Sequence, residues 1–124
     1  MLKIAAFGIL LVVGLAAPLA AKVKLENHPK FGRQILELAM AEEIAANCKS
    51  LKFNTVVMSA MPSYFAIGEP SYSEAEFKAA LAALRPAAHQ ALIVKGAVEG
   101  KPKSFCAVGK AERRANSVIG RLFM

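Results

Sequence analysis

Cys48 and Cys106 are the only cysteines in a chain of 124 residues, and they stand 58 positions apart. A domain of roughly one hundred residues buries only about two thirds of its unfolded surface and is marginal without a staple. Joining the two sulfurs closes a long loop, for which chain entropy allows about 4 kcal/mol. That is a large share of the stability of a small domain. A structural disulfide is therefore the expected state of the pair. Two alternatives stand beside it: a reversible thiol couple, and a zinc site completed by His28 and His89. Neither cysteine belongs to a Cys-x-x-Cys pair, neither histidine has a close second ligand, and the Cys-x-x-Cys-His signature of haem attachment is missing.

Disulfides persist in oxidising compartments, and the amino-terminal residues suit such a destination. Lys3 is followed by an uncharged run from Ile4 to Ala21, through Ile9-Leu10-Leu11-Val12-Val13 to the small-residue stretch Ala16-Ala17-Pro18-Leu19-Ala20-Ala21. This is the layout of a signal peptide over 1–21, with cleavage after Ala21 and Pro18 breaking the apolar helix just before the cut. The alternative is an uncleaved helix anchoring the protein to the inner membrane, because the run approaches the length that spans a bilayer. The expected location is thus the periplasm or the exterior, or the outer side of the inner membrane. Much of the 56% hydrophobic content sits in this run, and removing it, Lys3 included, leaves a net charge one lower than the +7 of the whole chain.

Residues 22–28 show no sustained period and read as a flexible leader. Over 29–124 the pattern is helical, and no second strand-like run exists to pair with Thr55-Val56-Val57. Pro29 suits the first position of a helix of about five turns that carries Phe31, Ile35, Leu38, Ala39, Ala45 and Cys48 on its apolar side. Asn54 is placed to cap a second helix, interrupted or kinked at Pro62 and ended by Gly68-Glu69-Pro70. Ser73 and Glu76 form a capping box, with Tyr72 and Phe77 as its hydrophobic staple. The helix they open presents Phe77, Leu81 and Leu84 and is expected to stop near Arg85, with Pro86 opening another that runs through Leu92, Ile93 and Val94 towards Val98 and has Gly100 as its stop. Lys101-Pro102-Lys103 reads as a turn, and Ser104 as the cap of a final helix ending around Asn116. The fold class is all-α: a small bundle of four to five short helices with one disulfide.

The chemistry-bearing residues are sparse. Glu74 and Glu76 lie in a helix first turn, where negative charge offsets the dipole, and Glu42 and Glu43 are consecutive, so they do not face each other. His89 reads as a partly buried or surface histidine. No serine sits in a Gly-x-Ser-x-Gly setting and no phosphate-cradling glycine loop is present. No enzyme activity, cofactor, metal or small-molecule substrate is expected. One feature rises above background: Lys101, Lys103, Lys110, Arg113, Arg114 and Arg121 against the single carboxylate of Glu112. Such a patch suits an acidic protein partner near the membrane, or an anionic lipid surface; the plainer account is a solvated basic face. Leu122-Phe123-Met124 is a second candidate contact, unless it packs on the core. Nucleic acid is not expected, since export removes the usual target and Phe105 and Phe123 do not make a stacking platform.

The pair Asn47-Cys48, the helix start Tyr72-Ser73-Glu74-Ala75-Glu76, the segment Ser104-Phe105-Cys106-Ala107-Val108-Gly109 and the terminal Ser117-Val118-Ile119-Gly120-Arg121-Leu122 together resemble a bacterial secreted family, the domain-of-unknown-function family 5333. The resemblance implies a small exported helical domain with two cysteines and brings no activity with it. It also suggests an accessory role beside a respiratory complex, NADH:quinone oxidoreductase. Residues and resemblance thus share one expectation, a non-enzymatic binding or accessory module at or near the membrane. The alternatives are a thiol-disulfide redox protein using Cys48 and Cys106, and a peripheral binder of anionic lipid.

Overall fold

In the computed structural model, which describes residues 22–124, four helices follow in the order α1 (Phe31–Asn47), α2 (Thr55–Ala66), α3 (Glu74–Val94) and α4 (Pro102–Arg114). Single 3-10 turns lie at Leu25–Asn27 and Gly120–Leu122. Among the described residues there is no strand, only isolated bridges such as Phe53 with Phe123. The fold is all-α, as expected; the signal peptide read at 1–21 lies outside the described residues.

The central element is α1. It packs on α3 along one side and on α4 along another, so its burial extends beyond a single stripe to Met40, Ala41 and Ile44 as well as Ile35, Leu38 and Ala39. It begins at Phe31 rather than Pro29, because the free backbone N–H groups of its first turn find a cap in the preceding ring. His28 Nδ1 accepts from the Lys30 N–H at 3.2 Å and the Phe31 N–H at 3.0 Å. The same ring stacks on Phe31 at 4.4 Å between centroids.

That contact already corrects the expectation of a flexible leader over 22–28. Leu25 is a core residue, the Tyr72 hydroxyl donates to the Val23 carbonyl at 2.5 Å, and the Lys22 ammonium donates to the Ser71 carbonyl at 2.8 Å while lying over the Tyr72 ring. The segment lacks a period because it is short and makes one turn only. Its order comes from partners some fifty residues away, which no local pattern reveals.

Asn54 caps α2 as expected, its side chain accepting from the Val56 and Val57 N–H groups. Pro62 stays inside α2 without ending it. The capping box at the start of α3 is complete: Ser73 Oγ accepts from the Glu76 N–H at 3.1 Å, and the Glu76 carboxylate accepts from the Ser73 N–H at 2.9 Å. These bonds, the Ser73 backbone one first and the Lys22 ammonium next, hold the Glu76 carboxyl below its ordinary range.

Two expected helices between Glu74 and Gly100 are instead one, which runs through Pro86 to Val94. A proline in a helix removes the bond to the carbonyl four residues back. Here that carbonyl belongs to Ala82, and both Ala82 and Pro86 are exposed, so the lost bond falls on the side of the helix open to water. Meanwhile Leu81, Ala88 and Leu92 keep one continuous buried face across the break. The helix stops earlier than Gly100. Gly96, at φ 118°, takes the left-handed position, with Gly96 N–H bonded to the Ile93 carbonyl and Ala97 N–H to the Leu92 carbonyl. This is a Schellman ending, closed by the buried pair Leu92 and Ala97.

The disulfide joins Cys48, just beyond α1, to Cys106 in α4, with Cα atoms 4.9 Å apart, inside the usual span for the bond. One turn further along α4 the two helices approach closely at Gly109. A Cβ there would lie 2.5 Å from Ile44 Cγ2 and 2.6 Å from Leu51 Cδ1. Leu122 and Phe123 are buried, Phe123 stacking on Phe53 at 5.9 Å. The apolar end is therefore core for two of its three residues, and Met124 alone is exposed.

Replacing both cysteines by alanine is expected to lower the unfolding free energy by about 2–4 kcal/mol while leaving the helical circular dichroism at low temperature. A urea midpoint unchanged from the parent protein would show that the crosslink contributes nothing.

Candidate functional site

The six cations singled out above belong to α4 and its two flanks, and all are exposed. Pro102 opens α4 at the position where a missing N–H is harmless. The helix therefore starts two residues before Ser104, whose hydroxyl instead ties the start of α4 to the Val98 backbone at 2.8 Å. At the other end Asn116 takes the left-handed position at φ 54°. Its N–H bonds to the Arg113 carbonyl and that of Ser117 to the Glu112 carbonyl, a second Schellman ending with asparagine in place of glycine.

Between these ends α4 is two-faced. Phe105, Val108 and Gly109 are buried. Lys103, Ala107, Lys110 and Arg114 recur three or four residues apart and share the opposite, solvent side. Arg113 flanks that stripe, with Lys101 before it and Arg121 on the following 3-10 turn. Glu112 turns the other way: half-buried, it accepts from the Ser117 hydroxyl at 3.0 Å and pairs with Lys95 at 3.6 Å. Among the described residues none of the six cations makes an ion pair.

The helix dipole sorts these charges. Arg113 and Arg114 occupy the last turn, where cations are favourable. Lys101 and Lys103 stand at the first turn, which carries no acid, and there a cation opposes the dipole. The folding of α4 explains the two arginines and leaves the two lysines unexplained.

The remaining chemistry-bearing residues are brought together differently from the zinc alternative. The sulfurs are bonded to each other, His28 caps the start of α1, and Cys48 lies past the far end of that helix. Among the described residues no group of three or more His, Cys or Glu side chains is placed to hold a metal. The polar neighbour of both sulfurs is the Ser50 hydroxyl, 3.3 Å from Cys48 Sγ and 3.8 Å from Cys106 Sγ.

His89 forms a cluster that sequence alone did not reveal. Its Nδ1 meets Glu43 of α1 at 2.5 Å, its Nε2 meets Glu99 of the α3–α4 loop, and its ring stacks on Phe105 of α4 at 5.8 Å. Three elements converge on one imidazole, from positions too distant for any helical period to link. Next to it a groove of about 590 Å³ is lined by Ala39, Glu42, Glu43, Ala45, Ala46, Phe53 and Arg85. Both ring nitrogens meet carboxylates, so a protonated imidazole can donate to each and act as a strut between α1, α3 and the α3–α4 loop.

The Glu43 bond first and the Glu99 bond second raise the His89 pKa above its usual 6.5. A histidine whose folded pKa is raised contributes stability that is complete below its unfolded value and fades as pH climbs through the folded one. Wild-type protein is therefore expected to lose melting temperature relative to His89→Gln as pH rises above 6.5, and an imidazole titration followed by NMR should place the midpoint above 6.5. A melting difference independent of pH would remove the strut.

No curated protein and no solved structure matches this chain. A family model described as a family of unknown function, DUF5333, matches residues 23–124, which is nearly all of the described fold. The helix starts, the cysteine pair and the close-packed Gly109 and Gly120 therefore all fall within a region that one family model spans, and the chain belongs to that family of unknown function.

Proposed function

We propose that this is a non-enzymatic binding or accessory module that works at or near a membrane, in the periplasm or outside the cell, and offers the basic face of α4 to an acidic partner protein. The observation that carries the reading is the placement of Lys101 and Lys103. They stand without carboxylate partners at a helix start whose dipole disfavours them. Charge kept where it opposes local stability is charge with another use. A solvated face needs no such placement, because cations elsewhere on α4 serve solubility equally well. The uncharged run 4–21 and the disulfide support export.

Affinity capture from a membrane extract should retain a partner at low salt and release it as ionic strength rises. The variant Lys103→Gln/Lys110→Gln/Arg114→Gln, which changes exposed positions only, should reduce retention about tenfold, equivalent to some 1.4 kcal/mol. Equal recovery with parent and variant would overturn the reading. The same face also suits anionic headgroups, and that second reading predicts sedimentation with anionic but not neutral vesicles, abolished at high salt.

A further inference from the structure

The helix α2 is unlike the other three. From Phe53 to Gly68 the chain carries no charged residue, yet Phe65 is the only residue of α2 that is buried. Its main support is α3. The side turned away from the bundle carries Val56, Ala60 and Ser63, and the stripe continues to Ile67 just past the helix end. Val56 is 76% exposed and Ile67 83%, among the most exposed of the large apolar side chains. A soluble helix normally sets its charged residues on that side; α2 has none to set there.

We infer that α2 is an interfacial helix that lays its Val56–Ile67 face on a lipid bilayer. Two observations select lipid over another copy of this chain. The first is area. One side of a 12-residue helix with three large exposed apolar residues, Val56, Tyr64 and Ile67, falls far short of the ~800 Å² per partner of a stable protein interface. Insertion of a few side chains below the headgroups asks for no such area. The second is charge. Lysines lie at one end and along one side of the uncharged face: Lys52 precedes Phe53 and holds the Met124 N–H on its carbonyl, and Lys30 lies over Phe31, whose ring meets Tyr64 at 6.0 Å; the other end is followed by the carboxylate of Glu69. Cations beside an uncharged apolar stripe complement anionic headgroups beside acyl chains. The uncharged residues 4–21 join the described fold at Lys22, which is bonded to Ser71 beyond the end of α2 that carries Ile67.

This inference rests on the reading that the protein works at a membrane, but not on α4. The protein contains no tryptophan, so a single one reports its own site. Ile67→Trp on α2 and Ala107→Trp on the basic face of α4 are mixed separately with vesicles of phosphatidylglycerol and phosphatidylcholine, at low and at high salt. The expected result is a blue-shifted emission for Ile67→Trp that brominated lipid quenches and that persists at high salt, with no shift for Ala107→Trp. In addition Val56→Glu/Ile67→Glu, at exposed positions and with circular dichroism matching the parent protein as the control, should lose vesicle binding about tenfold or more. A shift for Ala107→Trp alone overturns the inference in favour of purely electrostatic lipid binding. No shift for either probe also overturns it, whereas capture of an acidic protein through α4 in that case leaves the protein-partner reading standing.

Discussion

The seam between α1 and α4 is held by a covalent bond and by a missing side chain within one helical turn of each other. Cys106 ties α4 to the end of α1, and Gly109 lets the two backbones approach until Ile44 and Leu51 fill the space where a Cβ would be. Either feature alone would allow α4 to rock: a lone crosslink is a pivot, and a lone close contact can slide. Together they fix both the distance and the rotation of α4. Phe105 and Val108 are thereby committed to the core and the lysine stripe to solvent.

The carboxyl-terminal segment depends on the same seam. After the Schellman ending of α4, Gly120 lies so close to the Glu112 and Arg113 backbone that any side chain there would collide with it. The chain then runs back beside residues 52–54, with the Asn54 N–H on the Leu122 carbonyl and the Met124 N–H on the Lys52 carbonyl, each at 2.8 Å. The start of α2 is thus set by the end of the molecule. Phe53 and Phe123 close the arrangement by stacking, with planes 8° apart.

What could be read in the sequence was chemistry completed within a few residues. The Ser73 and Glu76 box, the Asn54 cap and the helical class needed no distant partner, and the cysteine pair needed only to be the sole candidates. What could not be read depended on tertiary context. Pro86 looked like a boundary because a proline ends an isolated helix, but the buried face from Leu81 to Leu92 outweighs one backbone bond lost on the exposed side. Gly96 and Gly100 both have positive φ, and only the buried pairing of Ala97 with Leu92 decides which ends α3. Ser104 was the better local cap, yet Pro102 begins the helix. The basic stripe was visible as composition; its conflict with the dipole appeared only once the first turn of α4 was known. The His89 cluster, built from Glu43, Glu99 and Phe105, left no local trace.

The slender attachment of α2 has a consequence for how this domain opens. Buried apolar contact sets the free energy of local opening, and segments with little of it open without the rest. Through Phe65 and its half-buried neighbours α2 leans chiefly on α3, outside the α1–α4 seam that the crosslink secures. Its opening is therefore expected to cost less than that of the stapled core, and among the four described helices α2, the one with no charged residue, is expected to exchange its amides first.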